Sequence, residues 1–423
     1  MDMYGILASC PYLRSLLSHT QVDQDQESKE VNCIYLDYAA TSPVLPEVYR
    51  AMRPYTRSFY GNPSSPYSIG QLNRIAINHA RASVADLINA GPEDIFFTSG
   101  GTESDNWAIK GFGISLRDSL KRYEIITTKI EHSAVLESCK FMNRHGFRIR
   151  YIPVNYDGKV LMNEFRKMVS EKTAIVSVML ANNEIGTIQP IKDIAEVVHE
   201  YGAVLHVDAV QAFGHIPIDV KDMGIDLLSA SGHKIGAAKG IGCLYVSERA
   251  KPYLTPYLHG GHQEDGFRGS TENVSGIVGF GKACEIAKRD MEKNIRHISE
   301  LRDHLIDALY FGIGNIFVNG PVPPAGEYMN LLRLPNNLNI WIKDVDGSEL
   351  QTLLSEDNIF VSTGSACNSY VKTPSHVLKA IGLTDEEANN SLRITLGAET
   401  TWDEVEQFIK KLKSNVKLLR DCK

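Results

Sequence analysis

Between about residues 90 and 250 the chain alternates short apolar, β-rich runs with helix-length segments, and nothing else in the sequence limits the fold so strongly. The runs are DIFFTSG, EIITT, RIRYIPV, TAIVSVMLAN, AVLHVDAV, DLLSASG and GCLYVS. Between them lie stretches such as SAVLESCKFMNRHG and PIKDIAEVVHEYG, which close on glycine as helices do; the second also opens on proline. Near-continuous apolar strands separated by helices predict βαβ units and a mostly parallel sheet covered on both faces. The expected fold class is therefore α/β.

The C-terminal part reads differently. A long helical stretch, GKACEIAKRDMEKNIRHISELRDHLIDAL, leads to a proline-rich turn, PVPPAGE. Predicted strands NLNIWI, IFVSTG and SLRITLG follow, with the helix DGSELQTLLSED among them. A last helix opens on Thr401-Trp402-Asp403-Glu404, a capping box. This is a smaller α+β unit. The expected division is an N-terminal extension over 1–32, a large domain over 48–291, and a small domain from 33–47 and 292–423.

The 423 residues leave room for two or three domains. A net charge of −7 with 22% charged residues lacks the basic excess of a nucleic-acid binder. Collagen-like, disordered and disulfide-scaffold classes are excluded by the ordinary composition. Cys10, Cys33, Cys139, Cys243, Cys284, Cys367 and Cys422 make an odd, sparse set with no C-x-x-C pair and no zinc spacing. They point to a reducing compartment. The longest apolar run, AIVSVMLA, falls far short of the ~18 residues of a membrane span. The N-terminus has an acidic second residue and no basic region, unlike a signal peptide. A cytoplasmic chain with neither membrane nor nucleic-acid partners is expected.

The functional clue stands where the strands end. DIFF runs into Thr98-Ser99-Gly100-Gly101-Thr102-Glu103, and EIITT is followed by Glu131-His132. The run through SVML ends at Asn182-Asn183, AVLHV at Asp208 with Gln211 close behind, and DLLSA at Ser231-Gly232-His233-Lys234. Ligands of open α/β sheets bind beyond the carboxyl ends of the strands. Five polar ends together predict a pocket for a polar, phosphorylated group. The TSGGTES stretch could cradle phosphate on glycine backbone and a helix start. It matches neither common glycine-rich nucleotide motif, and a plain helix cap explains it equally well.

Lys234, directly after a buried strand, has the setting of a desolvated Schiff-base nucleophile. Asp208 could hold a protonated pyridine nitrogen, and His132 could stack on or polarise a ring. Taken singly, these could be a paired buried lysine, a capping aspartate and a core histidine. Together they have the composition of a pyridoxal phosphate site.

The motifs YLDYAATSP, GNPSSPYSIG, FTSGGTESDNWAIKG, IEHSAVLESC, MLANNEIGTIQPI, HVDAVQAFG, SGHKIGAAKGIG and STGSACNS resemble, in order and spacing, those of the cysteine desulfurases. These are fold-type I pyridoxal phosphate enzymes of the class V aminotransferase group, here of the NifS/IscS type. The likeness runs over about residues 34–415. It implies a large domain with a mostly parallel seven-stranded sheet and a small α+β domain carrying a catalytic cysteine loop.

The resemblance also implies roles. Lys234 would hold the cofactor, Asp208 its ring nitrogen and Gln211 its ring hydroxyl. His132 would stack on the ring and serve proton transfer. Gly101, Thr102, Ser231 and His233 would bind the phosphate, and Thr271 would reach the phosphate of the other subunit of a homodimer. Asn183 would contact the cofactor and, with Arg393, hold the substrate carboxylate. Cys367 would be the nucleophile that takes sulfur from L-cysteine as a persulfide, releasing L-alanine. An acceptor protein, such as an iron–sulfur scaffold or a sulfur carrier, would then receive it for cluster assembly, tRNA thiolation or cofactor biosynthesis.

A selenocysteine lyase or related C–S lyase is the alternative on the same scaffold. A non-catalytic scaffold is disfavoured by the intact Lys234, Asp208, His132 and Cys367. The chain departs from the family pattern at Tyr67, Ala237-Ala238, Gly269-Ser270 and Ala398.

Overall fold

The computed structural model describes residues 33–322, 332–364 and 373–422. Strands are numbered along the chain from β1 (Ile34–Tyr35). The central sheet comprises β2 (Ile95–Thr98), β3 (Glu124–Thr128), β4 (Arg148–Ile152), β5 (Thr173–Ser177), β6 (Val204–Asp208), β7 (Leu227–Ser231) and β8 (Gly242–Val246). Their order across the sheet is β2-β8-β7-β6-β5-β3-β4. The pairs from β7 through β4 are parallel; β8 runs antiparallel to both β7 and β2. The expected α/β fold with a mostly parallel seven-stranded sheet is what forms.

Strand geometry divides the side chains between two cores. Ile126, Leu205, Val207, Leu228 and Ala230 enter one, while Ile125, Val204, Leu227 and Leu244 enter the other. The second face also carries a polar stripe. His206 and Asp208 alternate with Leu205 and Val207, and Ser229 and Ser231 alternate with Leu228 and Ala230. These polar side chains therefore share the face covered by the helix Gly101–Asn106. That helix continues through a widened turn, Trp107–Phe112, into Gly113–Leu120. The turn buries Trp107 completely and lets its Nε1 donate to the Thr255 carbonyl at 2.9 Å.

The second unit holds β9 (Ile316–Val318), β10 (Asn337–Ile342), β11 (Ile359–Phe360) and β12 (Ser391–Thr395). An antiparallel sheet is ordered β12-β10-β9, and β1 pairs in parallel with β11. The predicted strand IFVSTG contracts to the two residues of β11. The capping box forms as read, with the Thr401 hydroxyl accepting from the Glu404 N–H and the Glu404 carboxylate accepting from the Thr401 N–H at the head of Trp402–Asp421.

One 39-residue helix, Val274–Gly312, runs through both units. Ile277, Phe280 and Cys284 pack into the large core, and Ile298, Leu301 and Leu305 into the small one. Among the described residues no helix is long and apolar enough to cross a membrane.

Candidate active site

A cavity of about 350 Å³ opens at the carboxyl ends of the parallel strands, between the sheet and β12 of the second unit. Gly101, Thr102, His132, Asp208 and Gln211 border it from the large unit. Asn183, Ser231, His233 and Lys234 complete that side, and Arg393 closes it from β12. The strand before Asn183 ends earlier than expected, at Ser177, so an irregular segment carries Asn183 to the cavity.

Lys234 ends the tight turn Gly232–Lys234 that follows β7. Its Nζ donates to the carbonyls of Ala39 at 2.6 Å and Ala40 at 2.7 Å. Gln211 Nε2 donates to the same Ala39 carbonyl at 3.0 Å. Asp208 closes β6, and its Oδ1 accepts the Val210 N–H at 2.9 Å. Burial raises the Asp208 carboxyl; His132, the Val210 N–H and Lys234 pull it back towards ionisation. His132 caps the helix Ser133–Arg144, its Nδ1 accepting the Ala134 N–H at 3.2 Å. That bond assigns the proton of a neutral His132 to Nε2.

At the other end of the cavity the backbone needs room. A Cβ on Gly101 would lie 2.5 Å from Val210 Cγ2, so any larger residue would have to displace that side chain. His233 Nδ1 lies 3.1 Å from Thr41 Oγ1. Burial first, and then Lys234 and Lys239, push the His233 imidazole down to about 4, so it is neutral at physiological pH. Arg393 Nη1 donates to the carbonyls of Asn183 at 3.1 Å and Gly364 at 3.4 Å.

Two expected residues stand apart. Thr271 lies in a separate hollow of about 140 Å³ beside Thr98, Ser99 and Arg268. Its neighbour Ser270 has φ 114°, a backbone region that favours glycine, which accounts for the glycine usual there in the resembled pattern. Cys367 lies outside the described residues, whose nearest described neighbour towards the N-terminus is Gly364. Of the other cysteines, Cys139, Cys243 and Cys284 are buried. Burial pushes the Cys139 thiol up to about 12 and raises the other two, so none is a thiolate nucleophile at neutral pH.

The sequence reading gave no role to the titratable cavity residues Asp105, Glu184 and His376, and placed Glu131 at a strand end without assigning it one. Glu131 is fully buried. Its Oε1 accepts from Thr128 Oγ1 at 2.6 Å and from the Met179 N–H at 3.1 Å, while Oε2 has no partner among the described residues. Burial pushes this carboxyl up to about 8. Glu184 accepts from the Ser375 hydroxyl, and His376 Nε2 lies 3.0 Å from the Glu131 carbonyl. A signal existed for Asp105 and Glu131: each is an acid beside an already suspected ligand-binding residue, in TESDN and IEHSA.

Residues 34–408 match the family described as Aminotransferase class-V. The cysteine desulfurase IscS of Methanosarcina thermophila is 46% identical over 394 residues, spanning 93% of this chain and 94% of that one. The chain belongs to the cysteine desulfurases of the class V aminotransferase family. Solved structures of this family agree. A NifS-like protein superposes with a TM-score of 0.83 at 36% identity, covering 91% of this chain and all of the other. SspA in complex with cysteine superposes at 0.74 with 35% identity, covering 87% of this chain and all of that one. As a cysteine desulfurase family member this chain is an enzyme.

Proposed function

We propose that this enzyme takes sulfur from L-cysteine, with pyridoxal 5′-phosphate in the cavity, and leaves it as a persulfide on Cys367. The observation that carries this reading is the convergence of Lys234, Asp208 and His132, from three different strand ends, on one cavity. The cavity also suits the cofactor chemically. It offers a half-buried lysine amine, a carboxylate at a strand end, and a close glycine approach that a Cβ would crowd.

When bound, pyridoxal phosphate supplies an electron sink for the electrons of the substrate Cα–H bond. Gly101, Thr102, Ser231 and His233 would hold its phosphate. Asp208 would hold the ring N–H, Gln211 the ring hydroxyl, and His132 the ring face. Lys234 anchors the group between turnovers and moves the Cα proton. Arg393 orients the substrate carboxylate with Asn183; its buried Nε lacks a partner among the described residues and can accept that load. The Cys367 thiolate attacks the substrate sulfur. A sulfur–sulfur bond forms, the substrate carbon–sulfur bond breaks, and alanine leaves.

The relatives named for cysteine desulfurase activity and the cysteine complex of SspA support the substrate. Thr271, outside the cavity, fits a role at the phosphate of a second subunit in a homodimer. The persulfide would pass to an acceptor protein such as an iron–sulfur scaffold or a sulfur carrier. A cytoplasmic setting, reducing enough to keep Cys367 free, suits the chemistry.

Cys367→Ala decides the mechanism. It should keep the visible absorbance given by added pyridoxal phosphate and lose alanine formation from cysteine. Undiminished turnover would overturn the persulfide route and favour a lyase that does not use Cys367.

A further inference from the structure

β2 lies at one edge of the central sheet, so the N–H groups on its outer side need partners from outside the sheet. Two carboxylates supply them. The Phe97 N–H donates to Glu264 Oε2 at 2.9 Å, and the Ser99 N–H, just past the strand, donates to Glu103 Oε2 at 2.8 Å. Each carboxylate is held in turn by an arginine fork. Arg81 donates through Nη1 and Nη2 to the two oxygens of Glu264, both at 2.7 Å. Arg268 donates through Nε to Glu103 Oε1 at 2.6 Å and through Nη2 to Glu103 Oε2 at 3.1 Å.

The two pairs stand at different places. Glu264 supports the strand itself. Glu103 is the third residue of the helix Gly101–Asn106 and reaches back to Ser99, so its side chain spans the turn through Gly100, Gly101 and Thr102. Gly101 and Thr102 border the cavity, at the end assigned to the cofactor phosphate. Arg268 borders the separate hollow that holds Thr271, not the cavity. Its own segment is tied down next door, where the Gly269 N–H donates to the Leu258 carbonyl at 2.8 Å.

Charge makes the second pair matter. A phosphate group carries about −1.5 to −2 at neutral pH, and a carboxylate in the same helical turn repels it. Burial raises the Glu103 carboxyl, but Arg268 and the Ser99 N–H outweigh that and hold it below its ordinary value, so it is ionised. The Arg268 and Glu103 side chains are only 18% and 15% exposed, so solvent screens their charges little. Using both oxygens, the Arg268 fork fixes the carboxylate plane as well as cancelling its charge.

We propose that Arg268 is a positioning residue for the cofactor phosphate: acting through Glu103, it fixes the Ser99–Thr102 turn and cancels the carboxylate charge that the phosphate would otherwise meet. This deepens the reading of the cavity as a pyridoxal phosphate site and rests on it.

The test titrates the full-length apoprotein with pyridoxal phosphate, and separately with pyridoxal, which lacks the phosphate, following visible absorbance. Arg268→Gln should weaken pyridoxal phosphate by about tenfold and leave pyridoxal unchanged. Adding Glu103→Gln should recover most of that loss, because the neutral amide still accepts the Ser99 N–H and no longer repels the phosphate. A merely structural arginine would weaken both ligands alike and gain nothing from the second change. Equal loss for the two ligands, undiminished affinity for pyridoxal phosphate in Arg268→Gln, or no recovery in the double variant would each overturn the proposal. If Arg268→Gln folds too poorly to titrate, Glu103→Gln alone decides: it should bind pyridoxal phosphate at least as tightly as wild type, and a tenfold weaker affinity would overturn the proposal. A wild-type protein that gains no visible absorbance with pyridoxal phosphate would fail the cofactor reading itself, and this proposal with it.

Discussion

Arg393 Nη2 donates to Asp37 Oδ1 at 2.8 Å, joining β12 to the segment that follows β1 at the edge of the cavity. The guanidinium is held on its Nη1 side by two backbone carbonyls and on its Nη2 side by one carboxylate. Its plane is thus set before any substrate arrives, which is what bidentate recognition of a carboxylate needs.

Arg393→Lys should therefore keep the charge and lose the fork. The expected result is a rise in KM for cysteine of about tenfold or more, with a smaller change in kcat. Steady-state kinetics check it. An unchanged KM would remove Arg393 from substrate binding.

Glu131 should make stability depend on pH. Its carboxyl ionises near the ordinary 4.5 when the chain is unfolded and only about 8 when folded. The folded protein then holds the extra proton, so this contribution is fully present below about 4.5 and is lost as pH rises towards 8. The slope is at most about 1.4 kcal/mol per pH unit. Urea unfolding of wild type and Glu131→Gln at several values between pH 5 and pH 8 should show the variant gaining relative stability as pH rises. Parallel curves would mean that Glu131 is ionised in the fold.

Ser270 holds φ 114° without glycine's freedom, beside a tight crossing of two glycines. A Cβ on Gly269 would lie 2.6 Å from the Gly260 Cα. Ser270→Gly should relieve the backbone and stabilise the protein by about 1 kcal/mol, less what glycine adds to unfolded-chain entropy. Gly269→Ala should destabilise it. Thermal unfolding of the two variants should move in opposite directions.

Thr401→Ala should cost about 1 kcal/mol, because it removes a side-chain acceptor from the head of Trp402–Asp421 while leaving the buried Val405, Phe408 and Leu412 in place. Chemical denaturation measures it. Since Thr401 and Glu404 do not line the cavity, cofactor affinity should not follow.

The sheet was legible because its strands are buried on both sides. β3, β5, β6 and β7 are apolar enough to stand out from the amphipathic helices between them. β9 was not, since three residues carry no usable period, and β11 was read too long, as IFVSTG instead of its two residues. Reversal of β8 was equally hidden, because an antiparallel neighbour is chosen by the path of the connection rather than by the strand's own residues. Lys234, Asp208 and His132 could be found because strand ends in an α/β sheet are where ligands bind. Asp105 escaped notice, and Glu131 was placed at a strand end without a role, because an acid near a helix start or a strand end is ordinarily solvated; their burial is a tertiary fact.

What the sequence by itself determined is the α/β alternation, the family's motifs and the chemical groups available at the strand ends. Those are local properties: period, composition and the residue that follows each strand. Only the tertiary structure decided which of these groups meet. It brought Arg393 across from the second unit, left Thr271 in a separate hollow, and buried four acids, Asp105, Glu131, Glu184 and Asp208, around one cavity. Protonation follows from burial and from the charges brought near, and both are set by residues far apart in the chain.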